Sequence, residues 1–259
     1  MDDTLTEPGG IVRLFVEAPL GQGAQLELGA PQAHYLLHVM RAKEGDLLCL
    51  FNGRHGEWRA RISAVAKRGC AVRCERQIGP QTHGPDVWLV FAPVKKTPAD
   101  YLVQKATELG VRRLQPVLTR RTIARRVNLE RMRANAIEAA EQSGRRDVPD
   151  VSPLREIEEV LRGWPQERRL VFCDEAGDAP PLAEALQTAP PSVWAVLTGP
   201  EGGFEPLERD ALRKLSFVVP VSLGERILRA DTAALAALAI WQAILGDFGR
   251  SAISARRAP

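Results

Sequence analysis

The chain of 259 residues is long enough for one large domain or two ordinary ones, and its composition, 45% hydrophobic and 26% charged, is typical of a globular protein with a sizeable core. That composition disfavours a disordered chain, and a net charge of only +3 does not by itself indicate a partner. No apolar run approaches the roughly 18 residues of a membrane span, and the polar start MDDTLTEPGG is unlike a signal peptide, so we expect a cytoplasmic protein without a membrane segment.

The first part of the chain predicts a small, barrel-like β domain. Its apolar runs have strand length and alternate with turn signals such as EGD and NGRHGE, and one helical stretch, PQAHYLLHVMRA, interrupts the series. The predicted strands are IVRLFVEA, QLELG, DLLCLFNG, EWRARISAVA and GCAVRCERQI. The Gly- and Pro-rich segment from Pro80 to Asp86 then predicts the end of a domain that spans residues 1–80.

From Val87 onward, strand-length apolar runs alternate with amphipathic helices, which favours an α/β domain with a parallel sheet over residues 87–259. The predicted strands are VWLVFAP, LQPVLT, RRLVFCD, SVWAVLTG and FVVPVSL. The predicted helices are TPADYLVQKATELG, LERMRANAIEAAEQS, PPLAEALQT, PLERDALRKL and TAALAALAIWQAIL, with Gly110, Asn128 and Gly144 as end signals. We expect the tail from Gly249 to fray.

The segment from Arg112 to Arg146 is strongly basic. It contains ten arginines and three glutamates, a local excess of seven positive charges. Arginine binds phosphate through a bidentate fork, so this excess favours a nucleic-acid backbone as partner. The alternative is a solvated helical face on which arginines cluster by chance.

The cysteines suggest neither a metal site nor a nucleophile. Cys49, Cys70, Cys74 and Cys173 include no CxxC pair, and none has a histidine at the spacing of a metal ligand. We therefore expect reduced, buried thiols and no metal.

The loop LTGPEGGF, from Leu197 to Phe204, follows a predicted strand. Its glycines allow positive φ and let a ligand approach the backbone N–H groups. The loop lacks the lysine of GxxxxGK[ST] and does not match GxGxxG, and the Glu201 carboxylate would repel a pyrophosphate. We expect a ligand with hydroxyls, an amino group or a cationic centre; a plain chain-reversing turn is the alternative.

The loop GERILRADTAALAAL begins at Gly224, after the next predicted strand. Arg226 and Arg229 stand so near the strand end that packing does not explain them, which favours an anionic or polarisable substrate. Asp231 is most simply the N-cap of the last helix, although its carboxylate could face a ligand. Ligands of such sheets bind beyond the carboxyl ends of the strands, and we expect the two loops at adjacent strand ends. Together with the basic segment, the two loops therefore predict a small-molecule site beside a nucleic-acid surface.

Five motifs follow one another along nearly the whole chain, from about Arg13 to Phe248. They are HYLLHVMRAKEGD with FNG, QKATELGV, EAAEQSGR, LTGPEGGF and SLGERILRADTAALAAL. The motif GPEGG alone is moderately specific for one protein family, whereas the five motifs in this order are strongly specific for it. The set resembles the RsmE family of 16S ribosomal RNA methyltransferases, which belong to the SPOUT superfamily. One departure is Asp231, where the family usually has glutamate.

The resemblance implies a PUA-like β-barrel domain followed by a SPOUT-type α/β domain with a trefoil knot. It also implies a homodimer that uses S-adenosylmethionine to methylate N3 of one uridine in the 16S ribosomal RNA of the small subunit. The loops 198–203 and 223–228 would bind the cofactor. The residues expected to do so are Leu197, Thr198, Gly199, Pro200, Glu201, Gly202, Leu223, Gly224, Ile227 and Leu228.

Methylation at N3 requires loss of the imide proton and stabilisation of the negative charge that spreads over O2 and O4. A cation near those oxygens would lower the barrier, and Arg229 is the first candidate and Arg226 the second. Asp231 is the nearest carboxylate that could accept the proton. The expected phosphate contacts are Arg13, Arg41, Lys43, Arg121 and Arg145, and the target is expected to be single-stranded or loop RNA because a base pair occupies N3.

Two other functions stay open at this point. One is a SPOUT methyltransferase that acts on another RNA position, and the other is a non-catalytic RNA-binding factor of ribosome assembly. A Rossmann-type dehydrogenase is improbable because no GxGxxG follows an early strand.

Overall fold

The computed structural model describes residues 4–7, 10–66, 69–94, 96–175 and 178–249. They belong to two compact units. The first takes in the chain up to His83 together with Ile137–Val148, and the second takes in Gly84–Ala136 and the chain from Pro149 onward. The sequence alone does not indicate that residues 137–148 pack with the first unit. The tail was predicted to fray from Gly249, and its residues after Gly249 lie outside the described residues.

The first unit is built on a five-stranded sheet. Its strands in the order β3-β5-β6-β7-β4 are antiparallel to their neighbours, except that β3 and β5 are parallel. Each of the five predicted runs overlaps one of these strands, so that prediction is confirmed. The strands of this unit are β1 (Thr6–Glu7), β2 (Gly10–Ile11), β3 (Arg13–Phe15), β4 (Gln25–Glu27), β5 (Leu47–Phe51), β6 (Glu57–Ala66) and β7 (Gly69–Gly79).

The helix predicted inside the first unit is also present, in an unusual form. It starts as α1 (Ala30–His34) and continues as one π-helical turn, Tyr35–Val39. Leu36 of that turn is completely buried in the aliphatic core of the sheet. A π turn is rare and often occurs at functional sites, and no sequence period predicts it.

The second unit is built on a parallel sheet. Its main strand order is β10-β9-β8-β13-β12-β14, and β11 pairs with β9. The five predicted strands and their parallel arrangement are confirmed, whereas the two short edge strands β10 and β11 were not predicted. The strands are β8 (Val87–Phe91), β9 (Arg113–Leu118), β10 (Asp150–Val151), β11 (Arg155–Glu156), β12 (Arg168–Cys173), β13 (Val193–Thr198) and β14 (Val218–Val221).

The predicted helices alternate with these strands. Asn128 caps α3 by accepting the N–H of Arg131 at 2.9 Å, and Gly110 and Gly144 stand at φ +82° and +81° after helix ends, as expected. Only the short α4 was not predicted. The helices are α2 (Lys96–Glu108), α3 (Leu129–Ser143), α4 (Ile157–Arg162), α5 (Leu182–Gln187), α6 (Pro206–Arg213) and α7 (Ala230–Ile244).

The strand order corrects the expected position of the two loops. β13 and β14 are not neighbours, because β12 lies between them and pairs with both. The loops after β13 and β14 therefore lie on either side of the carboxyl end of β12. In the sheet, β9 lies on one side of β8, whereas β12, β13 and β14 lie on the other. Open α/β sheets bind ligands where the strand order changes direction in this way.

Candidate active site

The loop after β13 is a tight turn. Thr198 ends the strand in a buried position, and its carbonyl oxygen accepts the N–H of Ala92 at 3.2 Å. The N–H of Gly203 donates to the Pro200 carbonyl at 2.9 Å, and Gly203 has a φ of +66°, which a side chain would disfavour. Glu201 lies at the exposed tip of this turn.

An aromatic ring packs beneath the turn. A Cβ atom on Gly199 would lie 2.6 Å from the ring of Phe204, so only glycine allows this approach. Phe204 is buried and meets Phe172 of β12 edge to face at 4.9 Å between ring centroids. The first glycine of the loop is thus required for the packing of Phe204 beneath the turn.

Two charged side chains contact the backbone of the turn. The carboxylate of Glu175, two residues beyond β12, accepts the N–H of Phe204 at 2.8 Å. The guanidinium of Arg121, in the segment after β9, donates to the carbonyl of Gly202 at 2.9 Å. Sequence reasoning missed Glu175, because nothing in the chain order shows that β12 ends between the two loops.

The turn leads directly into α6, whose start is capped twice. Glu205 and Glu208 form a capping box, in which each side chain accepts the backbone N–H of the other residue. The Glu208 carboxylate also accepts the N–H of Arg120 at 3.1 Å. Burial is the main cause that raises the pKa of Glu208.

The carboxyl end of β12 is fixed by an ion-pair network. Asp174 has a fully buried side chain and accepts Arg213 Nε of α6 at 2.6 Å. Arg213 also binds the exposed Asp178, and this hydrogen bond lowers the pKa of Asp178 to about 2. The network joins α6 to the strand end that carries Glu175.

The loop after β14 leaves its backbone open. Gly224 has a φ of +101°, its N–H donates to Ser222 Oγ at 3.1 Å, and a Cβ placed on it would meet nothing within 4 Å. In the described part of the chain, no hydrogen bond satisfies the backbone N–H groups of residues 225–228. Ile227 is fully exposed at 101%. Free N–H groups beside an exposed apolar side chain suit a planar, hydrogen-bonding ligand.

The predicted catalytic residues lie where α7 begins. Arg229 is the N-cap residue, with extended backbone at φ −67° and ψ 155°, and both Arg226 and Arg229 are exposed. The predicted N-cap role of Asp231 is wrong, because the helix begins at Ala230 and Asp231 lies in its first turn. The Asp231 carboxylate accepts the N–H of Thr232 at 2.9 Å.

Two of the four predicted phosphate contacts in the first unit have largely buried side chains. Arg13 donates to Glu57 at 2.5 Å and to the carbonyl of Arg145 at 2.6 Å, and its side chain is only 12% exposed. The Arg145 side chain is 11% exposed and pairs with Asp147 at 3.1 Å. These arginines hold residues 137–148 against β3, which suits a structural role better than a phosphate contact.

The other predicted contacts in the first unit are more accessible. Arg41 and Lys43 are exposed and follow the π turn, and Arg41 has a left-handed φ of +54°, which is uncommon for a residue with a side chain. The Lys43 N–H donates to Asp46 at 2.8 Å, so this connection is ordered by its own hydrogen bond.

The basic segment is only partly available to a partner. Arg113 pairs with Asp150 and lies over the ring of Trp88 at 4.2 Å, and Arg131 pairs with Asp100. Arg125 and Arg126 are exposed. The segment after β9 therefore offers more free positive charge than the strand or the helix beside it.

The prediction of free, buried cysteine thiols is confirmed. All four cysteines are free and buried, and burial raises the pKa of Cys49 and of Cys173 to about 12. No group of three or more His, Cys, Asp or Glu side chains among the described residues could hold a metal ion. Within the same residues, every helix is too short or too polar to cross a membrane.

Known families match both units. A model of an RNA methyltransferase PUA domain matches residues 28–74, and a model of an RNA methyltransferase domain matches residues 82–242, more than half of the chain. The chain belongs to the RNA methyltransferase family. This finding confirms the resemblance and the order of the two domain types; the trefoil knot stays a prediction.

Similar proteins include enzymes named ribosomal RNA small subunit methyltransferase E. Ribosomal RNA small subunit methyltransferase E of Rickettsia conorii is 31% identical over 229 residues, which cover 88% of this chain and 93% of that protein. The protein of the same name from Synechocystis is 36% identical over 227 residues, 86% of this chain and 74% of the relative. The crystal structure of the Neisseria gonorrhoeae enzyme bound to S-adenosyl methionine is similar, with a TM-score of 0.80, 29% identity, and coverage of 92% of this chain and 99% of that one.

Proposed function

We propose that the protein transfers a methyl group from S-adenosylmethionine to N3 of one uridine in the 16S ribosomal RNA of the small subunit. The observation that supports this most is the pair of loops at either side of the end of β12, one with an exposed Glu201 and the other with free N–H groups. Relatives named ribosomal RNA small subunit methyltransferase E agree with it.

The chemistry of the two loops fits this cofactor. S-adenosylmethionine presents a sulfonium, an ammonium, ribose hydroxyls and an adenine, and it has no phosphate. An exposed carboxylate at Glu201 tolerates its positive charge and accepts hydrogen bonds, and the N–H groups of residues 225–228 suit the adenine acceptors. The proposed binding residues are Leu197, Thr198, Gly199, Pro200, Glu201, Gly202, Leu223, Gly224, Ile227 and Leu228.

When bound, the cofactor supplies an electrophilic methyl group. The chain then has to orient the uracil ring and stabilise the charge that develops on its oxygens. Arg229 has the position for this role, because an N-cap side chain stands at the helix end where backbone N–H groups and the dipole also favour negative charge. Arg226 is the second candidate.

Asp231 is the proposed acceptor of the N3 proton. One of its carboxylate oxygens is engaged by the Thr232 N–H, and the side chain is only partly buried, so a second oxygen can accept a hydrogen bond. The shorter side chain, compared with the glutamate usual in the resembling family, would place this acceptor closer to the start of α7.

The RNA is proposed to contact both units. Arg121 in the second unit, and Arg41 and Lys43 in the first, are exposed and able to bind phosphate, whereas the side chains of Arg13 and Arg145 are largely buried. A ribosomal substrate would place the protein in the cytoplasm.

A homodimer is proposed as the active form. α2 and α7 pack together, with Gln242 donating to the Leu109 carbonyl at 2.5 Å, and apolar side chains on and after these helices stay exposed. They include Tyr101 at 47% and Phe248 at 56%. Light scattering of the purified protein measures the oligomeric state, and a monomer at micromolar concentration would contradict this part of the proposal.

Calorimetric titration with S-adenosylmethionine separates the proposed enzyme from a non-catalytic assembly factor. Binding with one site per chain is expected, and S-adenosylhomocysteine should compete for it. Absence of binding would contradict the proposal and favour an RNA-binding factor whose pocket is inactive.

A further inference from the structure

Glu175 contacts the glycine turn and was not selected from the sequence. It lies two residues after Cys173, the last residue of β12, and its Oε1 atom accepts the N–H of Phe204 at 2.8 Å. β12 lies between the strands that carry both proposed cofactor loops. The side chain therefore starts at the middle of the site and reaches the end of one loop.

A second observation ties the same carboxylate to the shape of the turn. A Cβ atom on Gly203 would lie 2.4 Å from Glu175 Oε1, so the backbone of the turn and the carboxylate are in direct contact. Gly203 also has the left-handed φ of +66°. The glycine is thus needed both for the backbone angle and for the approach of Glu175.

The position of Glu175 is fixed by the contacts of the preceding residue, Asp174. The neighbouring residue Asp174 is buried and paired with Arg213 of α6 at 2.6 Å, and the backbone N–H of Asp174 donates to the Val221 carbonyl at 2.9 Å. Val221 ends β14, which leads into the second loop. The carboxylate is therefore presented by a rigid strand end that touches elements on both sides.

We propose that Glu175 is a positioning residue for the cofactor loop: by accepting the Phe204 N–H it holds residues 200–204 in the turn that binds S-adenosylmethionine. This inference rests on the proposed function. It requires a hydrogen-bond acceptor of the length of glutamate at this position and does not require its charge. Glu175 makes no contact with the reacting atoms in this role.

The experiment compares Glu175→Ala, Glu175→Gln and Glu175→Asp with the wild-type full-length protein. Loss of one hydrogen bond to a carboxylate corresponds to about a ten-fold weaker binding of S-adenosylmethionine. Glu175→Ala and Glu175→Asp should show this rise in Kd and in KM for the cofactor, while kcat at saturating cofactor stays within about two-fold. Glu175→Gln keeps an oxygen acceptor and should bind nearly as the wild type does.

The control is Glu184→Ala, which removes an exposed carboxylate from α5 of the same unit and should leave the Kd unchanged. Equal weakening in Glu175→Gln and Glu175→Ala would overturn the proposal, because it would show that the negative charge itself binds the cofactor. Wild-type affinity in Glu175→Asp and Glu175→Ala would overturn it as well. If Glu175→Ala fails to fold, the Gln and Asp variants decide alone. Failure of the wild type to bind S-adenosylmethionine would instead refute the proposed function.

Discussion

Arg121 donates a hydrogen bond to the carbonyl of Gly202 at 2.9 Å, and its Cβ lies 3.6 Å from the position that a Cβ of Gly202 would occupy. An arginine from the basic segment thus contacts the turn proposed to bind the cofactor. A phosphate that draws this guanidinium away would loosen the turn, and a phosphate that binds its remaining N–H groups would stiffen it. Binding of RNA and binding of cofactor are therefore expected to depend on each other.

Replacing Arg121 by alanine is expected to weaken both ligands. The affinity for S-adenosylmethionine should fall a few-fold, since a single exposed hydrogen bond contributes about 1 kcal/mol or less. The slope of RNA affinity against salt should fall by about one. The control Arg125→Ala removes an exposed arginine of the same segment and should change only RNA binding. Unchanged cofactor affinity in Arg121→Ala would show that the contact with Gly202 does not matter for the turn.

Replacing Arg229 by alanine is expected to reduce kcat roughly 100-fold to 1000-fold, the usual cost of removing one group that stabilises a developing oxyanion. Cofactor affinity should not change, because the role assigned to this side chain is toward the uracil ring. Arg226→Ala should reduce kcat less. A single-turnover methyl-transfer assay measures both variants, and a full rate in Arg229→Ala would show that another cation serves the reaction.

Glu201 is expected to contact the cofactor rather than to shape the turn. Its side chain is exposed, and the turn is already held by the Gly203–Pro200 hydrogen bond, by Glu175 and by Arg121. Glu201→Gln should therefore raise the Kd for S-adenosylmethionine about ten-fold while the thermal unfolding temperature stays the same. An unchanged Kd would leave Glu201 without a role in binding.

The Asp178–Arg213 pair predicts a loss of stability in acid. The hydrogen bond from Arg213 lowers the pKa of Asp178 from an ordinary value near 3.8 to about 2 in the folded protein. The pair therefore stabilises the fold above about pH 4, and this contribution disappears as the pH falls to about 2. Urea unfolding at several pH values measures this contribution. As the pH falls from about 4 to about 2, the free energy of unfolding should decrease less for Asp178→Asn than for the wild type. Asp210→Asn removes an exposed carboxylate on α6 and is the control: its free energy of unfolding should fall with pH as that of the wild type does. The same pH dependence in all three proteins would contradict the prediction.

Local patterns predict most of the secondary structure of this protein. Strands β8, β9, β12, β13 and β14 appear where apolar runs of strand length occur, and Asn128 and Gly144 mark the ends of α3 as cap chemistry requires. These features depend on neighbours within a few residues. The short elements β10, β11 and α4 were not predicted, because segments of two to six residues are too short to show a hydrophobic periodicity.

Features that depend on distant parts of the chain were not predictable. Glu175 is visible only once β12 is known to lie between β13 and β14, although the chain order places it before both loops. Arg13 was expected to contact a phosphate, yet it donates a hydrogen bond to the carbonyl of Arg145, 132 positions away. The N-cap of α7 moved from Asp231 to Arg229, a shift of two residues that sequence patterns do not resolve.

The most direct test of the proposed function is methyl transfer to small ribosomal subunits that lack the modification. Purified protein, labelled S-adenosylmethionine and such subunits are incubated together, and the RNA is digested and mapped by mass spectrometry. The proposed function predicts one methyl group per subunit, on N3 of a single uridine of 16S ribosomal RNA, and none with Arg229→Ala in the same time. A methyl group on another base or another RNA, or none with the wild type, would contradict it.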